Sequence, residues 1–284
     1  MKLKDVFEKS VQFFKEKKIE TPRLDAEILI SYALKMDRVQ IYVKYEQPLK
    51  EDEITACREL IKRRSLGEPV AYILKEKGFY GEIFEVGPGV LVPRPESEAI
   101  VEEALAFIKK NEIKSPRILD LGSGSGCIGL AIIKNVPGAT LISIEGSEVA
   151  FQYLQKNTQK LELADRTELL HEDIEDFDFS EIGDFDVIVA NPPYIDQSDK
   201  LVQASVKKFE PHEALFSGNK GLHAILSWSY KTRNILKTRA IMLFEIGHTQ
   251  GPQVKQAFED LKVFSSTQIL KDLSGLDRIV KSVR

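Results

Sequence analysis

The chain has 284 residues, 43% of them hydrophobic and 30% charged, with 40 Lys/Arg against 44 Asp/Glu. These are the proportions of a folded chain long enough for two cores, which excludes a disordered or collagen-like protein. Cys57 and Cys127 are too few for a disulfide framework or a cysteine-rich metal site, and no apolar run approaches the ~18 residues of a membrane span.

The N-terminus turns acidic by Asp5, unlike an export signal, so a soluble cytoplasmic protein is expected. In its first stretch Leu3, Val6, Phe7, Val11 and Phe14 recur at helical spacing. Thr21-Pro22 reads as a second helix start, with Thr21 as its cap and Leu24, Ile28, Leu29, Tyr32 and Ala33 along one face. A third helix opens on Asp52-Glu53, reaches Arg63-Arg64 and stops at Gly67, charges placed to suit its dipole. Residues 1–76 are therefore expected to form a helical domain, and they carry no catalytic motif. Residues 1–70 hold 15 Lys/Arg and 13 Asp/Glu, the remainder 25 and 31. That acidic remainder is not the surface of a protein that grips nucleic acid by its phosphates. Gly78 to Val92, aromatic and β-branched around Gly81, predicts a β-hairpin, and 77–92 is read as a linker. Pro93-Arg94-Pro95-Glu96 then leads into a helix reaching about Lys110.

From Arg117 onward strands and helices alternate, which predicts an α/β domain over 93–284 with a mostly parallel, doubly wound sheet. Strands are expected at 117–121, 139–145, 167–171, 185–190, 239–246, 265–271 and 277–283. Helices are expected near 126–135, 147–160, 220–236 and 250–261. Only Leu273-Ser274-Gly275 separates the last two strands, too short for a parallel crossover, so an antiparallel hairpin should close the sheet.

Two segments carry chemistry. The first is the strand Arg117–Leu121, which holds Asp120 and runs into Gly122, Ser123, Gly124, Ser125 and Gly126 and then a helix. Such glycines let the backbone approach a ligand closely. Glu145 ends the next strand 19 residues after Gly126, where an acid accepts ribose hydroxyls in dinucleotide folds. The Gly-x-Gly-x-Gly spacing lacks the pyrophosphate pattern Gly-x-Gly-x-x-Gly. The second segment is Asn191-Pro192-Pro193-Tyr194, directly after the apolar strand 185–190. Each of the first two residues precedes a proline and is driven extended, and the prolines fix their own φ. The result is a stiff rim offering the Asn191 side-chain oxygen and the Pro192 carbonyl as acceptors, with Tyr194 as an aromatic cover. Two acceptors and a flat face suit a planar NH2 group, whose lone pair is otherwise tied into conjugation.

Asp120-x-Gly-x-Gly-x-Gly resembles the first motif of class I S-adenosylmethionine (AdoMet) methyltransferases. The resemblance implies a Rossmann-like seven-stranded sheet, AdoMet as cofactor, Glu145 on the ribose, and Asp173-Ile174 beside the adenine. Asn-Pro-Pro-Tyr is shared by amino-methyltransferases acting on adenine in DNA, guanine in ribosomal RNA and glutamine in proteins. From end to end the chain is similar to the PrmC (HemK) family of release factor glutamine methyltransferases. The matching segments are Gly78-Phe79-Tyr80-Gly81, Val92-Pro93-Arg94-Pro95-Glu96-Ser97-Glu98, the glycine loop, Asn191 to Ile195, Phe209-Glu210-Pro211 and Glu245-Ile246-Gly247. That likeness implies methyl transfer to the glutamine amide of the Gly-Gly-Gln motif of class-1 peptide chain release factors, with the N-terminal bundle helping to dock them. Asn191, Pro192 and Tyr194 are then the catalytic residues, Asn191 also facing the cofactor. Pro193, Arg94 and Glu96 join them toward the substrate. Two other readings stay open here: an amino-methyltransferase acting on a DNA or RNA base, and a non-catalytic module that binds release factors.

Three departures stand out: Glu145 where many relatives carry Asp, no glycine pair at Leu236–Arg239, and Ile174 where some relatives carry an aromatic residue. The polar stretch 195–218 is expected to be a lid or substrate-contact loop. His171, His212, His223 and His248 show no metal spacing, so no metal is expected. Cys127 is read as a small buried side chain and Trp228 as core.

Overall fold

The computed structural model describes residues 1–199 and 202–284. The expected 195–218 loop therefore includes two residues, Lys200 and Leu201, that lie outside the described ones. The chain divides into two compact units, Met1–Glu76 with Ala204–Phe209, and Lys77–Gln203 with Glu210–Arg284. The hairpin read as a linker thus falls within the second unit, and a short stretch of the expected lid belongs to the first.

The first unit contains helices Leu3–Glu16, Pro22–Ala33, Arg38–Val43, Glu51–Ser65 and Val70–Leu74. Leu3, Phe7, Phe14, Leu29, Ile30, Ile41 and Cys57 are wholly buried at its centre. The helices of six and five residues carry too few turns to show a period, which is why the sequence hides them. Thr21 stands at the N-cap but makes no cap bond. Its hydroxyl instead donates to Asp25 Oδ1 at 2.7 Å, and Asp25 Oδ2 accepts from Arg64 Nε at 2.7 Å. The nearby carboxylate thus takes the proton that a cap would have left turned outward.

A hairpin of β1 (Glu76–Phe79) and β2 (Glu82–Glu85), which lies in the second unit from Lys77 onward, turns through Tyr80 and Gly81, both with positive φ. The Asn157 side chain pairs with both the N–H and the carbonyl of Glu85, at 2.7 and 3.0 Å, and anchors the hairpin to helix Glu148–Lys160. The main strands follow: β3 (Arg117–Leu121), β4 (Thr140–Ile144), β5 (Thr167–Leu170) and β6 (Phe185–Ala190). A two-residue pair, β7 (Ile195–Asp196) and β8 (Phe216–Ser217), precedes β9 (Leu236–Glu245), β10 (Ser266–Lys271) and β11 (Asp277–Val283). The seven-stranded sheet has the order β10-β11-β9-β6-β3-β4-β5, and only β11 runs against its neighbours. This is the expected Rossmann-like seven-stranded sheet with its closing antiparallel hairpin. β9 begins at Leu236 rather than 239, and the preceding helix ends at Thr232 rather than 236. The pairing of β6 with β9 slips here, and Arg239 takes positive φ. Such a bulge breaks the period-two pattern by which a strand is recognised.

Alternate side chains of every strand enter opposite cores. Ile118, Leu141, Val187 and Leu243 meet helices Glu98–Lys110 and Cys127–Asn135 on one face. Leu119, Ile142, Ile188 and Met242 meet helices His223–Thr232 and Gly251–Asp260 on the other. The register lines up Ile144, Leu121, Ala190 and Phe244 as one row across β4, β3, β6 and β9. The next residue along each strand, Glu145, Gly122, Asn191 and Glu245, then forms a row at the carboxyl end. The chain leaves β3 toward β4 and returns to β6 on its other side, so this row spans the topological switch point.

Candidate active site

A cavity of about 370 Å³ opens over that row, within the range of small-molecule and cofactor sites. Its floor is the turn after β3. Gly122, Gly124 and Gly126 all have positive φ. Gly122 carries a second constraint, since a Cβ there would lie 2.8 Å from the Trp228 ring, which lines the same cavity from the opposite core. Trp228 is thus both core and wall. Gly122 and Ser123 donate their N–H groups to the Ile144 carbonyl at 2.9 and 3.1 Å, which ties the loop to the end of β4.

Glu145 stands at the edge of this floor, 9% exposed, accepting the Gly124 N–H at 2.7 Å and the Ser147 N–H at 2.8 Å. Burial pushes its carboxyl upward while those two donors oppose the shift. Each oxygen has one backbone donor and keeps room for another. Asp173 and Ile174 line the cavity beyond it, Ile174 buried and Asp173 closing its own turn by accepting the Glu175 N–H.

Asp120 lies beneath the glycine turn, 1% exposed, where its Oδ2 accepts the Gly129 N–H at 3.1 Å. Burial pushes it up to about 7 against that hydrogen bond. Between the ordinary carboxyl value of 3.8 and about 7 the folded chain holds a proton that the unfolded chain has released. The stability this group contributes is therefore complete below about pH 4 and lost as pH rises to 7, by about 1.4 kcal/mol per unit. Asp120→Asn cannot ionise. Thermal unfolding should show the melting temperature of the variant, relative to the parent, climbing between pH 4 and 7 and levelling above. A difference that stays flat across this window would show that Asp120 is not protonated in the fold.

The rim after β6 sits opposite Glu145. Asn191 and Pro193 line the cavity, whereas Pro192 is buried and does not. Tyr194 does not line it either. Its ring packs against the second core and its hydroxyl donates to Glu245 Oε1 at 3.0 Å, and burial beside that carboxylate raises the phenol well above its ordinary value. Arg94 lines the cavity and pairs with Glu210 at 2.6 Å. Glu210, only 4% exposed, also accepts the Val92 N–H at 3.1 Å. Glu96 is exposed and does not line the cavity.

Residues to which sequence reasoning gave no role complete the wall. Ser97, 1% exposed, accepts from Asn191 Nδ2 at 3.1 Å and donates to Glu245 Oε2 at 2.5 Å. Glu245 is 1% exposed, and burial raises its carboxyl against the hydroxyls of Ser97 and Tyr194. Glu213 also lines the cavity. Cys127 behaves as read: it is buried, and burial pushes its thiol up to about 12. Among the described residues no group of His, Cys, Asp and Glu is arranged to hold a metal ion.

The residues present fit AdoMet. A cradle of glycines that side chains would fill, a buried carboxylate with free acceptor capacity and an apolar wall of Ile174 and Trp228 suit a nucleoside that carries no phosphate. Fold and cavity together define an AdoMet-dependent methyltransferase.

Comparison with known proteins narrows this. Residues 5–74 match the PrmC N-terminal domain and residues 102–220 the methyltransferase small domain. The release factor glutamine methyltransferase of Rhodopirellula baltica is 36% identical over 279 residues, covering 97% of this chain and 94% of that protein. The protein of that name from Geobacter sulfurreducens is 36% identical over 271 residues, covering 94% and 92%. The crystal structure of a methyltransferase from Pyrococcus furiosus shares the fold, with a TM-score of 0.51 at 17% identity, covering 78% of this chain and 96% of that one. The chain belongs to the release factor glutamine methyltransferase (PrmC) family. No helix among the described residues is long and apolar enough to cross a membrane.

Proposed function

We propose that the enzyme methylates the side-chain amide nitrogen of the glutamine in the Gly-Gly-Gln motif of class-1 peptide chain release factors, in the cytoplasm and without a nucleic-acid substrate. The observation that carries this reading is the placement of Asn191, at the end of β6, one register step across the sheet from the glycine turn. Asn191 offers an amide oxygen to one N–H of the glutamine, and the backbone of the rigid Pro192-Pro193 segment offers an acceptor to the other. Holding both N–H bonds lets the nitrogen pyramidalise and turn its lone pair toward the cavity. AdoMet, when bound, would supply a sulfonium methyl that such a nitrogen takes up as the C–S bond breaks, the thioether leaving and one amide proton passing to solvent. Positioning of this kind can contribute ~7–11 kcal/mol. Asp120, Gly122, Ser123, Gly124, Ser125, Gly126, Glu145, Asp173 and Ile174 hold the cofactor, Asp120 also bracing the turn through the Gly129 N–H. Arg94 faces the substrate, and Tyr194 braces the rim from behind rather than closing over the amide. The N-terminal helical unit helps to dock a partner far larger than one glutamine.

Purified enzyme incubated with radiolabelled AdoMet and release factor should label the factor through many turnovers. A Gln→Ala factor should stay unlabelled. Equal labelling of the two factors would overturn the assignment, as would labelled RNA or DNA in place of protein.

A further inference from the structure

The wall behind Asn191 holds a chain of hydrogen bonds whose direction can be worked out. Glu245 is buried, and among the described residues no ion pair within 4.0 Å reaches it. Burying a carboxylate whose hydrogen-bond partners are two hydroxyls, with Arg278 attracting it only from beyond 4.0 Å, costs stability, so the arrangement calls for a reason other than folding. In its charged form, which Ser97, Tyr194 and Arg278 favour against the burial that raises its carboxyl, Glu245 only accepts. Ser97 and Tyr194 therefore both donate to it, at 2.5 and 3.0 Å. With its one proton spent on Glu245, Ser97 can only accept from Asn191. The Asn191 contact at 3.1 Å must then be made by its NH2, and its oxygen is left to face the cavity.

We propose that Ser97 and Glu245 are positioning residues that fix the flip state of the Asn191 amide, and that this fixed orientation is what selects a carboxamide over a carboxylate. The inference rests on the reading that Asn191 receives the substrate amide, and it adds how the choice is made. An amide has free rotation between two orientations of similar shape, and in the wrong one Asn191 would present its NH2 to the substrate. That face would repel the N–H bonds of glutamine and welcome the oxygens of glutamate. Held the other way, the site meets glutamate with acceptor against acceptor, and a site built around a hydrogen bond rejects strongly the analogue that cannot make it. Glu245→Gln breaks the logic with almost no change of shape. Its NH2 can donate to Ser97, which releases the serine proton toward Asn191 and reverses the amide.

The test compares binding of release factor with that of its Gln→Glu variant, in parent enzyme and in Glu245→Gln, Ser97→Ala and Ser97→Thr. AdoMet affinity serves as the check of folding. In the parent the glutamine factor should bind at least tenfold tighter than the glutamate factor. In Glu245→Gln and Ser97→Ala this preference should shrink to within about threefold or invert, and kcat should fall 10- to 100-fold, with AdoMet affinity kept within about threefold. Ser97→Thr, which keeps the hydroxyl, should restore the preference. A merely structural role would lower activity without moving the ratio of the two affinities. An unchanged ratio in Glu245→Gln, with AdoMet binding intact, overturns the inference while leaving the proposed function standing. Parent enzyme that labels no release factor overturns the proposed function and this inference with it.

Discussion

Replacing Asn191 by alanine is expected to lower kcat about 1,000-fold while leaving AdoMet affinity within about tenfold of the parent. The loss is of the size seen when one preorganised group of a reacting centre is removed, about 10²–10³ in kcat. The asymmetry between rate and cofactor binding follows from the cavity. The glycine turn after β3 lies one register step from Asn191, but none of the hydrogen bonds of that turn or of Glu145 involves Asn191. The packing cost is small because Asn191 is only half-buried and Ser97 keeps its bond to Glu245. Asn191→Asp should be almost as inactive, although it retains an acceptor. Ser97 has one proton, and two carboxylates would compete for it across a buried hydroxyl. Single-turnover rates alongside calorimetric titration with AdoMet check both variants. A fall in cofactor affinity as large as the fall in rate would show that Asn191 serves the cofactor and not the nucleophile.

What could be read from the chain, and what could not, divides along a physical line. The glycine turn and the Asn-Pro-Pro-Tyr rim are local devices: glycine and proline impose their geometry on neighbours, so the sequence displays them directly. The alternation of strand and helix was equally open, because both faces of the sheet are covered and its strands read as apolar runs. Ser97 and Glu245 were not open in this way. Both stand inside segments that the family likeness marks, but their role depends on a meeting across 148 residues, made only when register places Glu245 beside Asn191. Tyr194 shows the same limit from the other direction. Its aromatic ring suggested a cover for the substrate, and the side chain turns instead to the buried carboxylate. One-dimensional reading finds what a residue does to its own backbone. It misses what a side chain does to a distant one.

A position to which the sequence gives no role at all carries the second large expectation. Gly221→Ala should destabilise the second unit by about 2–5 kcal/mol and lower kcat about 100-fold. Asn219, Lys220 and Gly221 follow one another with φ of +52, +56 and +82, a left-handed turn that swings the chain against the back of the rim. A Cβ on Gly221 would lie 2.0 Å from the Tyr194 carbonyl oxygen and 2.7 Å from its carbon, both backbone atoms that no rotamer can move aside. Gln250 Nε2 holds the same carbonyl at 3.0 Å and would itself lie 2.8 Å from the new Cβ, so the rim cannot retreat without disturbing that bond. The displacement must pass along the Pro192-Pro193 brace to Asn191, where a shift of about 1 Å is enough to cost two orders of magnitude. Gly275→Ala separates this clash from backbone strain. Gly275 has φ of +79 at the exposed tip of the β10–β11 hairpin with nothing within 4 Å of its missing Cβ, so only about 1–2 kcal/mol and no activity should be lost. Thermal melts and kcat of the two variants, measured side by side, decide the matter. Equal rates in Gly221→Ala and Gly275→Ala would mean that the rim is free to move and that its stiffness is not what holds the amide in place.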